Sequence, residues 1–135
     1  MAEARLQSLK RKLMRDETFH LKYRNFMDNL IRKGYARKLT AEEAARRSRR
    51  ACYLPHHGVF HPQKREKIRV VFDAAALHDG VALNNQLHQG PNLANSLLGV
   101  LMRFRQDRIA LVAVIEGMFN EVKVPPKDAD TLRFL

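Results

Sequence analysis

The stretch RIALVAVIEGMF, residues 108–119, has the pattern of a chemical mount. An apolar run climbs to Val114 and breaks into Ile115, Glu116 and Gly117, as a strand ending in a tight turn would. A side chain at such a tip can reach a reacting group, yet Val114 offers only methyl groups. His56, His57 and His61 invite a metal reading. On an extended strand, however, residues 57 and 61 share one face and residue 56 takes the other. Two histidines on one face make a poor zinc site, so no metal is expected. Asp73 ends an apolar stretch before three alanines and reads as a turn or capping carboxylate. Cys52, the single cysteine, has no partner for an internal disulfide and reads as a small apolar residue.

The elements that would position these residues follow from periodicity. Phe19, Tyr23, Phe26, Met27, Leu30 and Ile31 form one apolar stripe on a helix from about Asp16 to Lys33. Asp16 and Glu17 suit its positive end, and Gly34 is a natural stop. Leu6, Leu9, Leu13 and Met14 recur at helical spacing before it. Thr40, with Glu43 three residues on, reads as a capping box, and ARRSRRA would finish that short helix with cations. Strands are expected near 52–61, 67–73, 108–115 and 121–124. The first two would form a hairpin with a basic tip, its first strand at an edge because of Pro55. Between them and the third strand, Leu93, Leu97, Val100, Leu101 and Phe104 mark a helix, and NNQL at 84–87 a capped turn. PPKDADTLRFL reads as a helix start that Leu135 interrupts. The class is α+β: a helical N-terminal third, residues 1–50, then short antiparallel strands and helices.

Charge is uneven. The chain carries 25 Lys and Arg against 14 Asp and Glu, a net charge of +11, and residues 1–50 hold 15 of the cations and 6 of the acids. Such a chain meets polyanions, nucleic acid first and an anionic membrane surface second, unless the cations form a solvated surface. The opening MAEARLQSLKRK lacks the apolar core of a signal peptide, and no apolar run approaches the ~20 residues that span a bilayer. With one cysteine, a soluble intracellular chain is expected.

Three strings carry a resemblance: YLPHHGVFHPQKREKIRVVFDAAALHDGVALNNQL, QGPNLANSLLGVLMRFRQD and IEGMFNEVKVPPKDADTLRFL. Together they resemble the reverse transcriptase of Pao/BEL-type retrotransposons. The stretch LKRKLMRDETFHLKYRNFMDNLIRKGYARKLTAEEA resembles what precedes that domain in the same polyproteins. The resemblance implies that residues 51–135 are a partial domain of an RNA-directed DNA polymerase: the fingers and the start of the palm. The later motifs, with the second aspartate pair, would lie beyond Leu135.

The family's first palm motif, Ala-Asp-Ile-Glu-x-Met-Phe, falls on Ala113–Phe119 and places its metal-binding aspartate on Val114. The family uses magnesium, which needs oxygen ligands. No cofactor and no polymerase activity are therefore expected here, and Glu116 already has its counterpart outside the metal site. The resemblance also assigns the fingers hairpin to an incoming nucleotide. Arg69 matches its second-strand arginine, Lys64, Arg65 and Lys67 supply charge at the tip, the backbone near Glu116 and Gly117 cradles phosphate, and Phe119 excludes a 2′-hydroxyl. Against these stand plainer readings: a solvated turn tip, an edge arginine facing water, and Phe119 as a core aromatic.

A non-catalytic remnant that binds RNA, DNA or their hybrid through a basic face is the expectation. No K/R-G-F-G-F-V signature supports sequence-specific RNA readout. Alternatives are a helical protein-interaction module, in which the stripe on residues 16–33 docks in a partner or self-associates, and a gene fragment without function.

Overall fold

The computed structural model describes the chain apart from Met1, Arg47, Arg49, His61 and Arg65. It is α+β, with a helical N-terminal part followed by a two-stranded antiparallel sheet. Residues 1–87 and 123–135 form one unit, and residues 88–122 form another.

The first unit begins with two helices, α1 (Ala2–Arg15) and α2 (Glu17–Arg32). Asp16 separates them: its carboxylate accepts from the Phe19 amide at 2.8 Å and caps α2. At the other end Gly34 takes a φ of 74°, which glycine adopts without a Cβ penalty. That turn lets Gly34 N–H reach the Ile31 carbonyl at 3.0 Å and Tyr35 N–H reach the Leu30 carbonyl at 2.9 Å. Helix α3 (Ala41–Ala45) starts on the expected capping box: the Thr40 hydroxyl accepts from Glu43 N–H, and the Glu43 carboxylate from Thr40 N–H.

Helix α3 ends at Ala45, before the arginines expected to finish it, of which Arg47 and Arg49 lie outside the described residues. Arg46 is already extended. Ser48 then takes up backbone donors that a helix would have used, its hydroxyl accepting from Arg50 N–H and its carbonyl from Ala51 N–H.

Strands β1 (His56–Phe60) and β2 (Ile68–Phe72) form the hairpin, in the register His56↔Phe72, Gly58↔Val70 and Phe60↔Ile68. His56, Gly58 and Val70 face inward. Phe19 of α2 is fully buried beneath them and, with Leu9, Tyr23 and Val70, makes the core. Phe26, Met27 and Leu13 pack at its margin. Much of the α2 stripe is thus covered by the hairpin and α1, while Ile31 stays exposed.

The first expected strand is shared between two partners. Pro55 has no N–H to give, and β1 starts after it. Residues 52–54 pair instead with the C-terminal segment. Cys52 N–H donates to the Asp130 carbonyl at 3.0 Å, Leu54 N–H donates to the Arg133 carbonyl at 2.7 Å, and Tyr53 bridges Arg133 in parallel. The helix expected from Pro126 is a single 3-10 turn, Ala129–Leu132, after which the backbone is extended. NNQL likewise lies in a 3-10 turn, Leu83–Gln86, but without a side-chain cap.

The second unit holds α4 (Leu97–Phe104), capped by the Ser96 hydroxyl, and α5 (Met118–Glu121). The strands expected at 108–115 and 121–124 are absent: the former is irregular backbone, the latter the end of α5 and a coil. A strand is stable only when its N–H and C=O groups meet a neighbour. The β1–β2 pair is the one sheet among the described residues. No residue of 88–122 is buried, including the apolar stripe of α4. No helix of the described residues is long and apolar enough to cross a membrane.

Candidate functional site

The hairpin presents its cations outward because of the strand period. Val70 points to the core, so Arg69, one residue earlier and opposite Val59, points to water. Lys67 and Lys64 are both exposed at the tip, where Lys67 N–H closes a turn on the Lys64 carbonyl at 2.9 Å. Arg65 and His61 lie outside the described residues. Helices α1 and α2 each place an ammonium group over an aromatic ring, one of them in the hairpin. Lys12 Nζ sits 4.1 Å from the centroid of Phe19, and Lys22 Nζ lies 5.4 Å from that of Phe60.

Val114, Glu116, Gly117 and Phe119 belong to the second unit, whereas the hairpin cations belong to the first. Val114 is not the tip of a strand; it lies on irregular backbone with 91% of its surface exposed. Glu116 and Gly117 form the turn into α5, with Gly117 at a φ of 63° and its carbonyl accepting from Asn120 N–H at 2.7 Å. Phe119 is 83% exposed, which removes the reading of it as a core aromatic. The donor set at 113–119 does not fit a magnesium ion. Position 114 holds a hydrocarbon side chain, which offers no oxygen ligand. Among the described residues, no three His, Cys, Asp or Glu side chains gather as a metal site requires.

Polar chemistry gathers around two residues, His56, which the sequence suggested only as a metal ligand, and Arg133. His56 is buried with both ring nitrogens engaged. Nε2 is 2.6 Å from the main-chain oxygen of Leu135, and Nδ1 makes a short hydrogen bond with the Tyr23 hydroxyl. A main-chain oxygen only accepts, so Nε2 carries the proton, and in the neutral ring Nδ1 accepts from Tyr23. Burial pushes the Tyr23 phenol up to about 12. The imidazole is enclosed by Tyr23, Phe72 and Phe134, whose ring centroids are 6.0, 5.6 and 5.7 Å away.

Arg133 is the second hub. Its guanidinium reaches Asp130 at 2.8 and 3.1 Å, the Tyr53 hydroxyl at 3.2 Å and the Glu43 carbonyl at 3.4 Å. Tyr53 and Asp130 raise it, and in return the guanidinium, followed by Ser48, lowers the Asp130 carboxyl. Beside it, Arg37 grips Glu43 with two bonds of 2.8 Å. Arg37 first, and then the Thr40 amide, hold the Glu43 carboxyl down at about 2. Asp73 fulfils its capping role by accepting from Ala75 N–H at 3.1 Å; its pairing with Arg5 at 2.7 Å chiefly lowers its carboxyl. A sequence signal for Arg133 existed: a cation between Leu132 and Phe134 needs a partner if its neighbours pack. His56 gave no such signal.

No family model, no curated protein and no solved structure matches the chain.

Proposed function

We propose that this chain is a non-catalytic remnant of a retrotransposon reverse transcriptase that retains sequence-independent binding to nucleic acid. The observation that carries the reading is the motif Ala113–Phe119 within long strings that resemble the Pao/BEL enzymes, with Val114 where those enzymes hold a metal-binding aspartate. Two-metal phosphoryl transfer needs oxygen ligands for both cations. Valine supplies none.

Binding is supported by charge and exposure. The net charge is +11, and Lys64, Lys67 and Arg69 stand in water on one hairpin. Such cations displace condensed counterions from a phosphate backbone, so affinity falls as salt rises.

The test titrates fluorescent single strands, duplexes and RNA–DNA hybrids with the purified chain at several salt concentrations. Retention at low salt, release at a few tenths molar and indifference to base sequence are expected. Binding that ignores salt overturns the reading, as does magnesium-dependent primer extension by the same preparation.

A further inference from the structure

We propose that Ser48 is a phosphorylation site for an arginine-directed serine kinase, and that the phosphate loosens the hold of residues 50–54 on residues 128–133. The sequence is the first ground. Ser48 stands in the run Arg46–Arg47–Ser48–Arg49–Arg50, with two arginines on each side. A kinase groove lined by carboxylates pairs with guanidinium forks before and after the acceptor residue, and that charge match selects the serine between them. Other hydroxyls fit such a groove less well. Ser8 lies near cations but inside helix α1, and Ser96 caps α4 between uncharged neighbours. Thr40 follows Arg37 and Lys38, but Glu43 holds Arg37, and Glu42 and Glu43 stand on its other side.

Local structure is the second ground. Helix α3 ends at Ala45 and Arg46 is extended. Ser48 lies half-buried on irregular backbone, with Arg46 and Arg50 exposed. A segment outside helix and sheet enters a groove in extended form without breaking a ladder. In the transfer, Ser48 Oγ attacks the terminal phosphorus of ATP. The bond from that phosphorus to the bridging oxygen breaks, ADP leaves, and the hydroxyl proton passes to an aspartate of the kinase. The product carries a charge of about −1.5 to −2 at pH 7 and three strong acceptor oxygens.

Ser48 is placed to make that charge felt. Its hydroxyl faces the Asp130 carboxyl and, after Arg133, lowers it as a hydrogen-bond donor does. Phosphorylation removes that donor and sets a second anion against Asp130. Arg50 ties down the same stretch: its guanidinium meets Asp128 at 3.2 Å, while its N–H reaches Ser48 Oγ at 3.3 Å. The phosphate therefore draws the Arg50 fork away from Asp128. Beside these two ties lie two main-chain bonds, Cys52 N–H to the Asp130 carbonyl at 3.0 Å and Leu54 N–H to the Arg133 carbonyl at 2.7 Å. Arg133 still reaches Tyr53 and Glu43, so the segment opens more often rather than leaving.

The test treats the purified chain with an arginine-directed serine kinase and magnesium ATP. Mass spectrometry of the fragmented chain should place one phosphate on Ser48. No incorporation into the folded chain overturns the proposal, as does phosphate on Ser8 or Thr40 with Ser48 untouched. Arg46→Ala/Arg49→Ala, which spares the Arg50–Asp128 pair, should slow incorporation roughly tenfold. An unchanged rate overturns recognition through the arginines. Hydrogen exchange, read by NMR on the unmodified and the phosphorylated chain, then tests the consequence. The Cys52 and Leu54 amides should exchange roughly tenfold faster after phosphorylation, with the β1–β2 amides unchanged. Equal protection of Cys52 and Leu54 in the two forms overturns the loosening. Loss of protection in the hairpin as well overturns it too, because the phosphate would then unfold the whole unit.

Discussion

The Tyr23 hydroxyl is hydrogen-bonded to Nδ1 of His56, across the junction between α2 and β1. The bond joins the helical part to the hairpin, and it is buried. Tyr23→Phe leaves Nδ1 enclosed by aromatic rings without a donor. A buried acceptor left unpaired costs about 1–3 kcal/mol. Urea unfolding should show that loss, and Tyr23→Phe/His56→Phe should recover part of it, because replacing both partners removes the orphan. A double variant less stable than Tyr23→Phe would show that the bond is not the cause.

The same burial raises the Tyr23 phenol from an ordinary 10 to about 12. A neutral group favoured in the folded state stabilises it below the unfolded value. That contribution drains as pH rises from 10 to about 12, because the unfolded chain loses its proton first. Ultraviolet titration should show one of the three tyrosines ionising late, and Tyr23→Phe should abolish the late phase.

Gly58 lets α2 and the sheet approach closely. A Cβ there would stand 2.8 Å from Phe19 Cζ and 2.8 Å from Ile68 Cδ1. Phe19 is fully buried and has no space to retreat into. Gly58→Ala should therefore destabilise the fold by about 1–3 kcal/mol, the range for overpacking. Thermal unfolding measures it, and an unchanged midpoint would mean that the helix slides away without penalty.

Local codes were legible in the sequence; distant partners were not. Asp16, Gly34 and the Thr40–Glu43 box act within four residues, and each end of α2 and the start of α3 lies where they put it. The hairpin and the buried positions of α2 follow from periods of 2 and 3.6. The run at 108–115 has strand composition, but composition supplies no neighbour, and that segment is irregular. The pairing of residues 52–54 with 130–133 spans nearly eighty residues, and beside it Nε2 of His56 gains the Leu135 oxygen as a partner. Of the candidate site, outward-facing Arg69 could be read from alternation, whereas the exposure of Val114 and Phe119 could not.

Glu43 makes the acid limb of stability specific. Its carboxyl sits at about 2 against an ordinary 4.5 because Arg37 and the Thr40 amide bind the ionised form. Above pH 4.5 both states are ionised and the full stabilisation is present. As pH falls from there to about 2, the unfolded chain takes up the proton first and the stabilisation is lost. Glu43→Gln should lower stability at neutral pH and flatten its fall across that window. Parallel curves for the two proteins would assign the acid sensitivity to other carboxylates.

The hairpin cations should act through charge rather than shape. Replacing Lys64, Lys67 and Arg69 by alanine together should weaken binding to every nucleic acid alike. Each lost phosphate contact should also reduce the slope of log affinity against log salt by about 0.9. All three side chains are exposed, so the fold should be little affected. A loss confined to one base sequence would point to readout that the present proposal lacks.

An aspartate at the position that the proposed resemblance gives to a metal ligand should not create polymerase chemistry. Val114→Asp puts a carboxylate on a segment 91% exposed at that side chain, with no ladder partner among the described residues. One monodentate carboxylate in water does not dehydrate magnesium, which keeps several waters and needs further anionic oxygens in fixed octahedral positions. Stability should change by less than about 0.5 kcal/mol, as at other surface sites. Primer extension with magnesium or manganese should stay at the level of a blank. Incorporation of nucleotides by this variant would mean that further oxygen ligands converge on position 114 when nucleic acid binds, and the assignment of the chain as a non-catalytic remnant would fall.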